Sequence, residues 1–340
     1  MRVAVITAPG EVELREEPSP RLAPDELLVE VGACGLCTME RRLFSGEKRV
    51  YPVAPGHEVA GRVVAAGEAV AALPGAPRVG ERVTVDLLTR CGACSACRRG
   101  RSALCRRPQG GALSDGTISM GAGLADAVRV RAEQAYQVGE VTVEQAAMGE
   151  PVACVVHSLR LGGFGAGDRV GVIGAGYMGR LHLALMLRQG AVEAGVVDIS
   201  PDRRADAAHA GAHWTATPDE ARAEHAHALD TVVITAGAPG ALELGLELLD
   251  EGGTVVLFGA FPKELTASVP PDALHHHEHT VVGVYSHEPR DWHVAAALIR
   301  SGVLAADLDA LVTARFGLDG VGEALALAAS APVYRVLVGG

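Results

Sequence analysis

The sequence predicts an α/β protein in two parts, a β-rich half with long loops and a doubly wound parallel sheet. Three observations predict it. Up to about residue 150, short apolar runs are divided by glycine and proline. From about Gly167, strand-like and helix-like runs alternate with short connections. A strand, a G-x-G-x-x-G turn and a helix open that second part. Alternating strands and helices close into a parallel sheet, whereas short strands with Gly/Pro turns make antiparallel β structure.

The elements follow in order. Met1 to Ile6 enters a strand-like run at once, and residues 27–31, 59–65, 81–87 and 127–131 read as further short strands. Pro18, Pro20, Pro24, Pro52, Pro55, Pro74 and Pro77 punctuate them. In the second part, 169–173 is a continuous apolar strand and 176–189 has helical periodicity. Strands follow at 194–197, 231–235, 254–258 and 281–285, with helices at 201–210 and 241–249. A helix near 291–300 and a strand at 334–338 close the chain. The expected domains are 1–152, with a cysteine lobe at 90–106, then 153–295, and a segment 296–340 that returns to the first domain.

Composition narrows the function classes. A chain of 340 residues is long enough for two domains with a sizeable core. Its formal charge of −11 and lack of a basic stripe argue against a nucleic-acid partner. No apolar run reaches the length of a membrane span, and the N-terminus lacks a charged-then-apolar signal pattern. Six of the seven cysteines precede residue 106, which suits a reduced compartment and metal binding better than a disulfide framework. The expected location is cytoplasmic.

Cys91, Cys94, Cys97 and Cys105 have the spacing C-x2-C-x2-C-x7-C. Four thiolates in one compact loop suit tetrahedral Zn2+, and an all-cysteine site is a closed, structural one; the alternative is a pair of disulfides. A second constellation is mixed. Cys37 follows a strand, His57-Glu58 sits in Pro55-Gly56-His57-Glu58-Val59-Ala60-Gly61, and Glu150-Pro151 precedes the second domain. One thiolate, one imidazole and one or two carboxylates leave room for a water or substrate oxygen, as a catalytic zinc requires.

The fingerprint Gly174-Ala175-Gly176-Tyr177-Met178-Gly179 follows a strand and opens a helix, and Asp198 stands about 20 residues on. Such a turn holds a dinucleotide pyrophosphate at the helix N-terminus. Asp198 can accept both ribose hydroxyls and repels a 2′-phosphate, which predicts NAD over NADP. Arg203 and Arg204 lie just beyond, where they reach a phosphate or stand solvated.

These motifs, with Gly35-Leu36-Cys37 and Gly121-Ala122-Gly123-Leu124-Ala125-Asp126, make the chain similar over its whole length to zinc-dependent members of the medium-chain dehydrogenase/reductase superfamily. The resemblance implies a GroES-like catalytic domain plus a Rossmann NAD-binding domain. It implies that Cys37, His57, Glu58 and Glu150 bind or flank a catalytic zinc, and that Arg335 is the basic residue at the cofactor pyrophosphate. The Glu-Pro pair at 150 resembles the polyol and threonine dehydrogenase branch. The implied partners are a small-molecule substrate and further copies of the chain, as a homodimer or homotetramer. The implied reaction oxidises a secondary alcohol of the polyol, cyclitol or amino-alcohol class to a ketone, or runs in reverse. In it zinc lowers the alcohol's pKa and hydride passes to nicotinamide.

The chain departs from the pattern at the proton path. The relay hydroxyl position is Met39, the relay histidine falls at Arg42, and Glu40 replaces the usual aspartate behind the zinc histidine. Thr38, or water passing by way of Glu58 or Glu150, is left to carry the proton. This gap keeps three alternatives open: conjugate C=C reduction, NAD-linked epimerisation, and a non-catalytic NAD- and zinc-binding sensor. Elsewhere, His275 to His279 reads as a polar turn, and Cys34 and Cys154 as buried thiols. Arg98, Arg99, Arg101, Arg106 and Arg107 form a basic rim on the cysteine lobe. Trp292, Phe44 and Tyr51 are candidates to line a substrate pocket.

Overall fold

A computed structural model describes residues 1–106, 111–259 and 261–339. The chain forms two compact units, Met1–Ala153 with His287–Gly340, and Cys154–Ser286.

The first unit contains two sheets. The larger has seven strands, with Val312–Gly317, Arg335–Gly339, Glu26–Leu36, Glu58–Ala66, Arg82–Asp86 and Ala135–Gln137 side by side, and Ala127–Arg131 added against Glu26–Leu36. The smaller has Glu11–Glu16, Arg2–Ala8, Val53–Ala54 and Ile118–Ser119. Inward-facing Leu27, Val29, Val59, Val63, Val83, Val85, Val336 and Val338 are buried in one core cluster. Burying each such side chain stabilises the unit by about 1.5–3 kcal/mol.

Register in this sheet sets the site. Gly35 of Glu26–Leu36 stands opposite Glu58 of the antiparallel strand Glu58–Ala66. The chain leaving the first strand, at Cys37, therefore lies beside the chain entering the second, at His57. On the outer sides, Leu36 pairs with Val336 and Glu58 with Asp86. The Gly56 turn before His57 needs a glycine. Its φ is +105°, and a Cβ there would stand 2.6 Å from the Leu124 nitrogen, inside the 121–126 motif that packs over it.

The second unit is one parallel sheet of six strands. In space they run Trp214–Ala216, Glu193–Val197, Arg169–Ile173, Leu229–Ile234, Leu249–Phe258 and Thr280–Val284. Numbered along the chain, that order is 3-2-1-4-5-6, the Rossmann arrangement. Val170, Val172, Val196, Val232, Val233, Val255 and Val256 are all buried. Such near-continuous apolar runs belong to strands covered on both faces.

The structure differs from the sequence expectations in several places. Helices Thr38–Ser45, Gly149–Gly162 and Val321–Ser330 and strand Val312–Gly317 were not anticipated. Thr38–Ser45 buries only Glu40 and Leu43, so it shows no apolar stripe. In Gly149–Gly162, Pro151 suggests a break but falls in the first turn, where no intrahelical N–H is needed. The strand expected at 254–258 begins at Leu249, directly after helix Ala241–Leu248, because Leu249 pairs with Leu229 across a register shift. The histidine run is not simply a turn. His275 and His276 end the short helix Pro271–His276, which Pro271 starts with a preset φ.

Candidate active site

The first site grows from a helix cap. Cys37 is the N-cap of Thr38–Ser45, its Sγ accepting from the Met39 nitrogen at 3.0 Å. Glu40 closes a reciprocal capping box, its Oε2 accepting from the Cys37 nitrogen at 3.0 Å. The other oxygen, Oε1, accepts from the Gly56 nitrogen at 3.2 Å and from His57 Nδ1 at 3.0 Å. One carboxylate thus fixes the cysteine, the turn before the histidine, and the histidine's tautomer. His57 Nε2 is left facing Cys37 Sγ at 3.5 Å. A carboxylate behind a ligating imidazole is the usual support of a metal-bound histidine.

Cys37, His57 and Glu58 present ligand atoms within 4.8 Å of one another. Glu58 is buried, and its Oε2 has no hydrogen-bond partner among the described residues. A partnerless buried carboxylate oxygen beside a thiol and an imidazole fits a divalent cation with one coordination position left open. Burial and neighbouring charges shift these groups. Burial, then the Glu40 charge, pushes the Cys37 thiol up to about 11. Burial also raises Glu58 to about 7, against the pull of Arg335 and with a further push from Glu150. Burial opposes ionisation of Glu40 as well, but His57 outweighs it and holds Glu40 near 2. Burial disfavours the His57 cation, yet Glu40 and Cys37 raise it well above its ordinary value. A thiol, an imidazole and two carboxylates meet here, a donor set that suits a cation.

The remaining sequence candidates lie as follows. Arg335 is buried, its Nη2 3.2 Å from Glu58 Oε1 and its Nη1 donating to the Leu36 carbonyl. Its observed partner is thus a member of the metal set, which the sequence did not signal. Glu150 stands outside the Cys37–His57–Glu58 set, with Oε1 3.4 Å from His287 Nε2. Met39 is half-buried against the core and Thr38 is exposed. Arg42 faces Glu47 at 3.5 Å. Trp292 is no pocket wall. It is fully buried, stacked on Tyr136 with ring centroids 5.3 Å apart. Phe44 and Tyr51 pack against the core, and the Tyr51 hydroxyl donates to the Leu43 carbonyl.

The cysteine lobe forms the second cluster. The Sγ atoms of Cys91, Cys94, Cys97 and Cys105 lie within 4.8 Å of one another, and none of the four is in a disulfide. Backbone nitrogens of Cys91 and Cys94 donate to Cys105 Sγ at 3.4 Å and to Cys91 Sγ at 3.3 Å. Backbone N–H groups aimed at sulfur favour thiolates, and four of them fit a tetrahedral zinc. Arg98, Arg99, Arg101 and Arg106 are exposed on its rim, while Arg107 lies outside the described residues.

In the second unit, helix Tyr177–Arg188 starts at Gly176 without a side-chain cap. Its first N–H groups therefore stay available to an anion. A Cβ on Gly176 would meet nothing nearer than Arg203 Nη1 at 3.7 Å, so the loop surface is open there. A Cβ on Gly179 would stand 1.8 Å from the Gly174 carbonyl oxygen, so only glycine lets this helix sit so close to the sheet. Tyr177 is buried and Met178 half-buried in its first turn. Asp198 Oδ2 accepts from the Ala175 nitrogen at 2.7 Å and Oδ1 from the Ser200 nitrogen at 2.8 Å. Arg204 Nη1 donates to the Asp198 carbonyl at 2.8 Å. An open glycine surface, free helix N–H groups and a fixed acid fit a dinucleotide.

Comparison with known proteins agrees with this geometry. The alcohol dehydrogenase GroES-like domain family matches residues 23–140, and the zinc-binding dehydrogenase family matches residues 178–301. The chain is 32% identical over 287 residues to D-altritol 5-dehydrogenase of Agrobacterium fabrum, with 82% of each protein covered. It is 30% identical over 344 residues to L-threonine 3-dehydrogenase of Thermococcus kodakarensis, covering 96% of this chain and 93% of the relative. An NADP-bound zinc-binding dehydrogenase from Sinorhizobium meliloti matches with a TM-score of 0.88 at 30% identity, over 100% of this chain and 99% of that one. Among the described residues no helix is long and apolar enough to cross a membrane. The chain belongs to the zinc-dependent medium-chain dehydrogenase/reductase superfamily, as a dehydrogenase whose two characteristic folds are both present.

Proposed function

We propose that the protein oxidises a secondary alcohol of the polyol, cyclitol or amino-alcohol class to a ketone, reversibly, using NAD in preference to NADP. The observation that carries this reading is the Cys37–His57–Glu58 set, with ligand atoms within 4.8 Å and a partnerless carboxylate oxygen. Cys37 and His57 are the metal ligands in this reading, with Glu58 and Glu150 as the carboxylates at or beside the ion, and the four-cysteine lobe holds a structural zinc. When bound, zinc supplies Lewis acidity toward the alcohol oxygen and nicotinamide accepts the hydride. Glu40 keeps His57 Nε2 presented. Arg335 anchors Glu58, with its Nη2 3.2 Å from Glu58 Oε1. The half-buried thioether of Met39 offers no relay, so the alcohol proton leaves through Glu58, Glu150 or water. Several carboxylates around one ion suit a substrate with more than one hydroxyl or amine, and the altritol and threonine dehydrogenases among the relatives support that class.

NAD preference rests on Asp198, held by two backbone N–H groups at the fingerprint, where a carboxylate disfavours a 2′-phosphate. Arg203 and Arg204 moderate the preference. The test is a panel of polyols, cyclitols and amino-alcohols followed by reduced-nicotinamide absorbance with each cofactor. Turnover faster with NAD than with NADP is expected. No turnover on any alcohol, with reduction of an electron-poor alkene instead, would reassign the reaction to C=C reduction.

A further inference from the structure

The loop after helix Thr38–Ser45 brings a cation back toward the metal set. Gly46 ends the helix with a φ of +83°, and the Lys48 nitrogen donates to the Arg42 carbonyl at 2.9 Å. That bond holds the Lys48 backbone on the last helical turn. Its side chain then points back along the helix, and Nζ lies 3.1 Å from Met39 Sδ. Met39 stands in the first turn, where its own nitrogen donates to Cys37 Sγ at 3.0 Å. One methionine therefore separates the ammonium from the metal thiolate.

The protein gives this ammonium little. Lys48 is half-buried, and a thioether sulfur is a weak acceptor. Among the described residues Nζ has neither an oxygen acceptor nor an ion pair. The neighbouring acid is engaged elsewhere, with Glu47 Oε2 3.5 Å from Arg42 Nε and Oε1 accepting from the Ser45 hydroxyl at 3.3 Å. A cation beside the first turn of a helix is also disfavoured, because the backbone dipoles place partial positive charge at that end. An anionic oxygen arriving here exchanges a thioether contact for a charge-assisted hydrogen bond, roughly twice as strong as a neutral one. A neutral hydroxyl gains less.

We propose that Lys48 is a specificity-determining residue that selects a secondary alcohol carrying an anionic group, a carboxylate or a phosphate ester, over the neutral polyol. This rests on the reading above, in which the Cys37–His57–Glu58 set serves the alcohol oxygen. The hydroxyl at that set and the anionic oxygen at Lys48 then fix two ends of one substrate, with Met39 between them. Lys48 takes no part in hydride or proton transfer in this account.

The experiment uses the holoenzyme as wild type, Lys48→Gln and Lys48→Arg. The probes are neutral polyols from tetritols to hexitols, with the aldonates and the polyol phosphates of the same chain lengths. The readout is kcat and KM for NADH formation from each. Wild type is expected to favour one anionic series over the neutral one by about 10- to 100-fold in kcat/KM, the range of one hydrogen bond to a charged group. Which series is favoured tells carboxylate from phosphate. Lys48→Gln keeps a donor but not the charge. It should lower the anionic-to-neutral ratio by about the same factor, mostly through KM, as loss of uniform binding does. Lys48→Arg keeps the charge and should hold the ratio nearer to wild type than to the glutamine variant. Turnover confined to alcohols without an anionic group, equal turnover of all three series, or a ratio unchanged in Lys48→Gln would overturn the role of Lys48 and leave alcohol oxidation standing. No oxidation of any alcohol, charged or neutral, would overturn the alcohol reading, and the role of Lys48 with it.

Discussion

Glu40 shows how much one side chain can organise. It caps a helix, holds the Gly56 turn and orients His57 through three hydrogen bonds at 3.0 to 3.2 Å. Glu40→Gln keeps the shape but lacks the charge that balances the ring, and its amide nitrogen cannot accept. The expected result is zinc affinity at that set lower by about 10- to 100-fold, read by competition with a chromophoric chelator, with the lobe zinc undisturbed. Unchanged affinity at both sets would deny Glu40 its role. Glu40 was legible in the sequence because it stands at a known position behind the zinc histidine, one methylene longer than usual. The pairing of Arg335 with Glu58 was not legible. Nearly 280 residues separate them, and no local pattern encodes a contact made by register between strands. The contact of Arg90 Nη2 with His287 Nδ1, at 3.0 Å, was hidden for the same reason, the two residues being 197 apart in the chain.

At the scale of elements, helix Tyr177–Arg188 joins the cofactor loop to the core of its unit. Its N-terminal turn carries the fingerprint, and His182 on the following turn is wholly buried. His182 Nδ1 donates to the Met178 carbonyl at 2.8 Å, which leaves Nε2 to accept from the Ser158 hydroxyl at 3.0 Å. Burial, only partly offset by the Met178 carbonyl, lowers its pKa from 6.5 to about 4. The unfolded chain therefore binds a proton that the folded one refuses between these values. The contribution of His182 to stability is complete above 6.5 and is lost as pH falls through about 4, amounting to ~3 kcal/mol. Denaturant unfolding of wild type and His182→Leu across that window should show the wild type losing stability faster. Parallel curves would show that the ring titrates normally. The strand–turn–helix pattern here was readable because glycine spacing and apolar runs are local. Helix Gly149–Gly162 was not, since a buried helix lacks the polar face that periodicity detects.

At the scale of the whole molecule, a β-rich unit supplies metal ligands and a Rossmann unit supplies a dinucleotide loop. The fold class was legible because each unit leaves its own signature: glycine and proline punctuation in one, strand–helix alternation in the other. The return of the chain to its first unit was legible only as a family trait, since strand Arg335–Gly339 resembles any short apolar run until it pairs with Glu26–Leu36. The central claim is that Cys37 and His57 hold one metal ion apart from the lobe, and that turnover depends on it. Metal analysis of purified Cys37→Ser, beside wild type, tests it most directly. The account predicts that the variant retains the zinc of the cysteine lobe, loses the other, and forms no NADH from any alcohol the wild type accepts. A variant with the full wild-type zinc content and undiminished alcohol oxidation would contradict it.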